Sequence, residues 1–572
     1  ETPGVAVKPL TELPAAIIAE QNLNVDAITG ATLTSYAMKA AVEDCVKQAG
    51  GDPKALMLEK PAHTPTAQEL NADVVIVGAG GAGLAAAVAA TDAGSSVIIL
   101  EKVGYAGGNT MICGGIINLA FPDMQHKAAM TAGAASQIEA ALAVEPKNDE
   151  HAALIAKVKE EYESYKASGE TYLFDSDAWY ALQTYAGGDY VGDLKLIEQM
   201  TSRIPADLKW LVGMGYEYTD QLTQGAGALY QRTLQSKERL GTGIINTYLN
   251  TLKDRNCQII YNTPATELII EDGRVKGAKG TSKNGDTYTV TANKGVILAT
   301  GGFSRNKEML KEYNTSGKWP DLSTVNCTNL PAMTGDGITM GLAAGAALRD
   351  MDQIQLLQVT HPKTGQIAKA YVRPLGVNGY IMLNKEGKRF VREDGRRDEI
   401  CLAAMEQTDG MFYMLESADV ITDPEKMTDQ NGVPTNELVA LGEITSGATL
   451  EELCQKLGMP YATVKAEVDE YNAAVDSGAA KDKLGRTLLT NKLENGPWYA
   501  IPRAPGIHHT MGGLVIDTEC RVQNAQGQPI PGLYAAGEVT GGLHGGNRLG
   551  GNAVVDTIVF GRLAGESAAA GK

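Results

Sequence analysis

Residues 72–102 read ADVVIVGAGGAGLAAAVAATDAGSSVIILEK. An apolar run, Val74–Val77, leads into a turn with Gly78, Gly80 and Gly83 in GxGxxG spacing. An alanine-rich stretch follows, then a second apolar run that ends at Glu101. A short apolar run without alternation fits a strand buried on both faces, and the alanines fit a helix packed close against it. Strand, glycine turn, helix and strand, with an acid about 20 residues beyond the turn, form the dinucleotide-binding pattern. The turn lets backbone approach a pyrophosphate, the helix N-terminus faces it, and the acid takes a ribose hydroxyl. The fold class that follows is α/β.

Two later segments repeat the strand-into-glycine ending: ATGGF at Ala299–Phe303 and LYAAGEVTGG at Leu533–Gly542. Between them lies a different kind of stretch, GKRFVREDGRRD at Gly387–Asp398, with four arginines and one lysine in a chain of net charge −18. A surface loop is one reading of it; an anion site or a proton donor is the other.

The chain has 572 residues, 44% hydrophobic and 21% charged. That length exceeds one simple core and predicts about two to four domains. Residues 1–50 end in an amphipathic helix, and 51–70, with three prolines, read as a linker. The dinucleotide-binding domain is expected in two parts, 71–355 and 503–572, around a mixed α+β segment at 356–502. The acidic balance argues against a nucleic-acid groove and an anionic membrane surface. No apolar run reaches the roughly 18 residues of a membrane span. The seven cysteines include no CxxC, so they read as small buried hydrophobes rather than metal or haem ligands, and no metal is expected. The opening ETPGVAV has no Met and no signal peptide, which suggests a processed or trimmed start.

PGIHHTMGG (505–513) and GEVTGGLHGGNRLGGNAVVD (537–556) are similar to segments of the soluble fumarate reductase and flavocytochrome c flavoproteins, which include the urocanate reductases. TGDG (334–337), THP (360–362) and GKRFVRE…RRD extend the resemblance from about residue 71 to the end. It implies a Rossmann-like FAD domain of the glutathione-reductase type with an inserted mobile capping domain at 356–502. The FAD contacts it implies begin with Gly78, Gly80, Gly83, Glu101 and Lys102, then Gly108, Asn109, Thr110, Gly114 and Gly115. They continue with Ala299, Thr300, Gly301, Gly302 and Asp336, and end with Gly537, Glu538, Arg548, Gly551, Asn552, Ala553 and Val554.

The resemblance also casts Arg397 as the proton donor, His508 and Arg548 as binders of the substrate carboxylate, and His361 as the residue at the distal end of fumarate. Thr360, Tyr371 and Arg373 are further substrate candidates, and His544 is placed near the flavin. The family's proton relay, a Glu and an Arg in E-A-V-R-G, is replaced here: Arg373 and Gly376 stand at those places. The relay is therefore expected through Glu393 or Asp394, or Arg373 binds a carboxylate instead. Arg389, Arg392 and Arg396 read as structural or surface pairs.

DAITGATLTS (26–35) resembles the attachment pattern of FMN-binding domains, which implies a partial FMN-binding domain at the N-terminus with FMN esterified to Thr32. The alternative for Thr32–Ser35 is an ordinary helix N-cap. The expected activity is FAD-dependent reduction of the C=C bond of an α,β-unsaturated carboxylate, fumarate first, with electrons delivered through FMN. Urocanate, itaconate and cinnamate are alternative substrates, and a ketosteroid-dehydrogenase-like flavoenzyme or an FMN electron-transfer module are alternative functions. The expected partner is an upstream electron donor: a quinol-linked protein, an NADH-linked flavoprotein or free flavin. The resemblance implies work outside the cytoplasm, in periplasm or at the cell surface.

Overall fold

The computed structural model describes residues 4–59, 63–225, 227–367, 379–429 and 432–571. Its contacts divide the chain into two compact units: Glu1–Met309 with Leu330–Gln353 and Thr510–Lys572, and Leu310–Asn329 with Ile354–His509.

The first unit is built on a largely parallel sheet. Its strands lie in the order Arg521–Gln523, Pro529–Ala535, Thr287–Leu298, Ala67–Val77, Val97–Leu100, Cys257–Ile260. Val74–Val77 pair in register with Val97–Leu100 on one side and with Gly295–Leu298 on the other, so the strand is buried on both faces. It begins at Ala67, inside the stretch read as a linker, because residues 67–72 pair with 287–292 ahead of the apolar run.

The helix Gly81–Asp92 is buried along nearly its whole length. Small residues are required there because the C-terminal helix Asn552–Ala570 lies on its backbone: a Cβ on Gly565 would come within 2.3 Å of Ala86 O. The N-terminal segment adds helices Val7–Glu20 and Thr32–Gln48 to this unit.

The second unit holds a six-stranded sheet whose main path is Ile354–Thr360, Trp498–Thr510, Phe412–Ser417, Ile381–Leu383. Period-two alternation sends Met382, Met414 and Ile501 to one core with Leu357, Val359 and Ile400, and sends Ile381, Leu415 and Ala500 to a second core under Leu453, Val464 and Val468. Two short strands, Asn326–Cys327 and Thr445–Gly447, pair with the long strand Trp498–Thr510. Among the described residues no helix is long and apolar enough to cross a membrane.

Candidate functional site

In the first unit, the residues singled out for FAD gather at the C-terminal ends of the parallel strands. Gly78 has φ +102° and a Cβ there would meet Ala299 O at 2.5 Å, so the first strand's turn and the ATGG turn lie backbone to backbone. A Cβ on Gly80 would meet nothing within 4 Å: that face of the turn is open. Glu101 is buried, and its carboxylate accepts from Ala79 N at 2.7 Å and Val103 N at 2.8 Å. Burial raises its pKa against those two N–H groups.

The second glycine turn closes over the first. Gly107 N donates to Ala79 O at 2.8 Å, and the short helix Gly108–Ile112 presents Asn109 and Thr110. Asn109 Oδ1 accepts from Leu330 N, whereas its Nδ2 is shielded from solvent and has no partner among the described residues. An unpaired buried donor beside an open glycine turn fits a phosphate-bearing ligand, since such a group is costly to leave unmade. Lys102 Nζ binds Asp336 Oδ2 (2.8 Å) and Thr334 Oγ1 (2.6 Å) and thereby ties the strand end to the TGDG turn.

The late AAGE segment returns to the same place. Glu538 Oε1 accepts from Thr510 N at 3.0 Å and lies where a side chain on Gly302 would be. Burial lifts Glu538 to about 7 although Arg548 opposes the shift. Arg548 is itself buried and donates to Leu549 O at 3.0 Å. His544 Nε2 lies 3.5 Å from Asp556 Oδ2, and burial lowers the ring's pKa.

The Asn552 side chain does not face this cradle. Its Oδ1 accepts from Asn118 and from the Tyr180 hydroxyl and its Nδ2 donates to Thr184, so only its backbone, at the head of the C-terminal helix, is left for a cofactor. These turns, with the open face at Gly80 and the donor at Asn109, suit FAD, which Glu101, Asn109 and the glycine backbones would hold.

The N-terminal segment packs on the loop that follows Glu101. Gly104 N donates to Thr29 O at 3.0 Å, Lys8 Nζ donates to Gly104 O at 2.8 Å, and a Cβ on Gly30 would meet the Tyr105 ring at 2.8 Å. Thr32 opens the helix Thr32–Gln48 and is exposed, while Ala31 is the N-cap and makes no side-chain capping bond. The N-cap reading of Thr32 is not realised. Ser35 makes the local bonds instead, accepting from Ile28 N and donating to Ala31 O.

In the second unit, the opening question about Gly387–Asp398 resolves residue by residue. Arg389 is fully buried and bidentate on Glu393, at 2.8 and 2.6 Å, and it also holds Asp482 at 2.6 Å. Glu393 accepts further from Met382 N and lies 3.4 Å from Arg486. Arg392 pairs with Asp394, and Arg396 with Asp398. Asp394 also accepts from Thr487 and Leu488.

Glu393 and Asp394, the two acids considered for a proton relay, thus each accept several hydrogen bonds within this unit. Arg397 is different. It opens the helix Arg397–Met405, is 9% exposed, and directs Nη1 toward Gln355 Oε1 at 3.4 Å. Burial pulls its pKa down to about 10.

His361 and His508 both belong to this unit, His508 on the long strand Trp498–Thr510 and His361 directly after the strand Ile354–Thr360. His508 Nδ1 lies 2.8 Å from Thr328 Oγ1. Thr360 donates to Ala504 O at 2.6 Å and packs on Gly506, which seats His361 beside the strand that carries His508. His361 Nε2 lies 3.1 Å from Glu443 Oε2, a partner the sequence did not suggest. Gln355 and Thr328 were missed as well, since nothing in their local sequence marks them. Tyr371 and Arg373 lie outside the described residues. Among the described residues no cluster of His, Cys, Asp or Glu is suited to a metal ion.

Comparison with known proteins gives these halves a context. The FAD binding domain family matches residues 73–173 and 132–554, and the FMN-binding domain family matches residues 1–47. The chain is 35% identical over 580 residues to urocanate reductase of Eggerthella lenta, covering 100% of this chain and 87% of that protein. It is 37% identical over 586 residues to NADH:acrylate oxidoreductase of Vibrio harveyi, covering 99% of this chain and 58% of the relative, so it spans little more than half of that protein. The open conformation of a flavocytochrome c3 fumarate reductase superposes with a TM-score of 0.68 at 30% identity, over 90% of this chain and 83% of that one.

Proposed function

The chain belongs to the FAD-binding flavoprotein family that includes fumarate, urocanate and acrylate reductases, and from that membership we propose that it reduces the C=C bond of an α,β-unsaturated carboxylate, with Arg397 as proton donor. FAD, when bound, supplies the hydride for the β carbon. The chain's own residues supply the rest. Negative charge gathers on the substrate carboxylate as the double bond is reduced, and cations aimed there lower the barrier. From the family resemblance we assign carboxylate-binding roles to His508 and to Arg548, the latter a planar fork that matches such a group. Arg397 hands its proton to the α carbon and regains one from solvent, so the product gains one hydride and one proton.

The observation that carries this reading is the state of Arg397. A guanidinium in water is a weak acid; desolvation disfavours its charged form, and burial lowers this one to about 10. A carbanion-like centre is far more basic than that, so proton transfer runs downhill. FAD-loaded protein is expected to oxidise reduced viologen when given at least one of fumarate, acrylate, urocanate, itaconate and cinnamate. Failure with all five, or turnover of a 3-ketosteroid instead, would refute the reading.

We further propose that Thr32 carries covalent FMN. Its exposure at the head of a helix leaves the hydroxyl accessible to a transferase. Thr32→Val is expected to abolish flavin that survives acid precipitation, measured by in-gel fluorescence, while releasable FAD stays at the wild-type level.

A further inference from the structure

His361 begins a tight turn, HPKT, that sets the direction of its ring. Its Nδ1 accepts from Lys363 N at 3.2 Å and from Thr364 N at 3.3 Å. A ring nitrogen that accepts carries no hydrogen, so the proton is on Nε2. That donor points at Glu443 Oε2, 3.1 Å away. Glu443 is fixed where helix Thr435–Ala440 passes into strand Thr445–Gly447, its N–H bound to Leu438 O at 2.9 Å. The two side chains keep 11% and 21% of their surface, so the pair is sheltered and still within reach of a small solute.

The surroundings tie this pair to His508. Asn326 donates to Pro362 O at 2.6 Å, next to His361, and a Cβ on Gly365 would meet Cys327 O at 2.8 Å. The same short strand pairs Asn326 and Cys327 with Gly506 and Ile507, and the next residue, Thr328, binds the His508 ring. Residues 326–328 thus touch both the turn that follows His361 and the strand that carries His508. His508 is the one assigned to the substrate carboxylate, and His361 already faces a carboxylate of the protein.

We propose that Glu443 occupies the place a second substrate carboxylate would take, and so restricts the enzyme to 2-enoates with a single carboxylate, whose β-substituent is uncharged or offers a hydrogen-bond donor. This rests on the reductase reading above. A dianion such as fumarate would bring like charge against Glu443 in a partly desolvated site, where repulsion at about 4 Å is felt strongly. A β-hydrogen, as in acrylate, carries no such penalty, and an imidazole N–H, as in urocanate, would donate to Glu443.

The test compares kcat/KM for acrylate, urocanate and fumarate with reduced viologen as donor, in wild-type holoenzyme and in Glu443→Gln and Glu443→Asp. Wild type is expected to favour a monoacid over fumarate by about tenfold or more. Glu443→Gln is expected to raise the fumarate-to-acrylate ratio by about tenfold or more, chiefly through KM, and Glu443→Asp, which keeps the charge, to stay near wild type. A wild-type preference for fumarate, or a ratio that Glu443→Gln leaves unchanged, would overturn the proposal. Titration of the flavin absorbance with succinate and propionate gives a second readout: the succinate Kd is expected to tighten in Glu443→Gln relative to propionate, and an unchanged ratio counts against the proposal. If no enoate is reduced at all, the reductase reading fails while the titration still judges the role of Glu443.

Discussion

Arg397→Ala is expected to lower kcat by about 10³–10⁴-fold, the upper range for loss of a positioned acid, with FAD content unchanged. The expectation follows from placement. Arg397 lies in the second unit, whereas the glycine turns, Glu101, Asn109 and Glu538 that suit FAD all belong to the first, so flavin retention and turnover are expected to separate. Flavin absorbance per polypeptide and steady-state turnover measure the two. Arg397→Lys keeps the charge and loses the planar fork, and should recover little of the rate.

The pH dependence has a definite sign. Arg397 must be protonated to act, and burial holds it at about 10, so kcat is expected to be flat between pH 7 and 9 as far as this group is concerned and to fall as pH rises through about 10. A profile flat to pH 11, or turnover that survives the alanine variant, would remove Arg397 from the chemistry.

Much of the flavin cradle was legible because its signals are local. VVIVGAGGAG and the acid at 101 lie within one strand–turn–helix–strand passage, and parallel strands buried on both faces announce themselves as unbroken apolar runs. The five cations of Gly387–Asp398 could not be sorted by the same means. Local sequence does not give their partners, and that of Arg389 at Asp482 is 93 positions away. His508 poses the same difficulty, since Thr328 is 180 positions distant. Glu443 carries no motif at all. Its contact appears only once the chain folds it onto His361.

Arg389→Met is the variant expected to show the opposite signature from Arg397→Ala: stability lost and chemistry kept. Arg389, Glu393 and Arg486 all have fully buried side chains, and Asp482 nearly so. Desolvating such charges is costly, and their bonds to one another offset that cost only while the set is complete. Removing Arg389 takes two bonds from Glu393 and one from Asp482, and the methionine that replaces it offers neither oxygen a donor. The expected loss is about 3–5 kcal/mol, the range for breaking a buried pair on one side, read as a lower urea midpoint for unfolding.

Glu393→Gln in the same background removes the charge that the first change stranded. The double variant should therefore be less destabilised than the sum of the singles, a coupling that distant independent sites would not show. Residual folded protein should turn over substrate at close to the wild-type kcat, because Arg389 is committed to Glu393 and Asp482 and is assigned no part in the reaction. A loss under about 1 kcal/mol would mean that Arg486 alone suffices for Glu393. A collapse of kcat in protein that remains folded would mean that these arginines do not divide into structural and chemical members as their partners indicate.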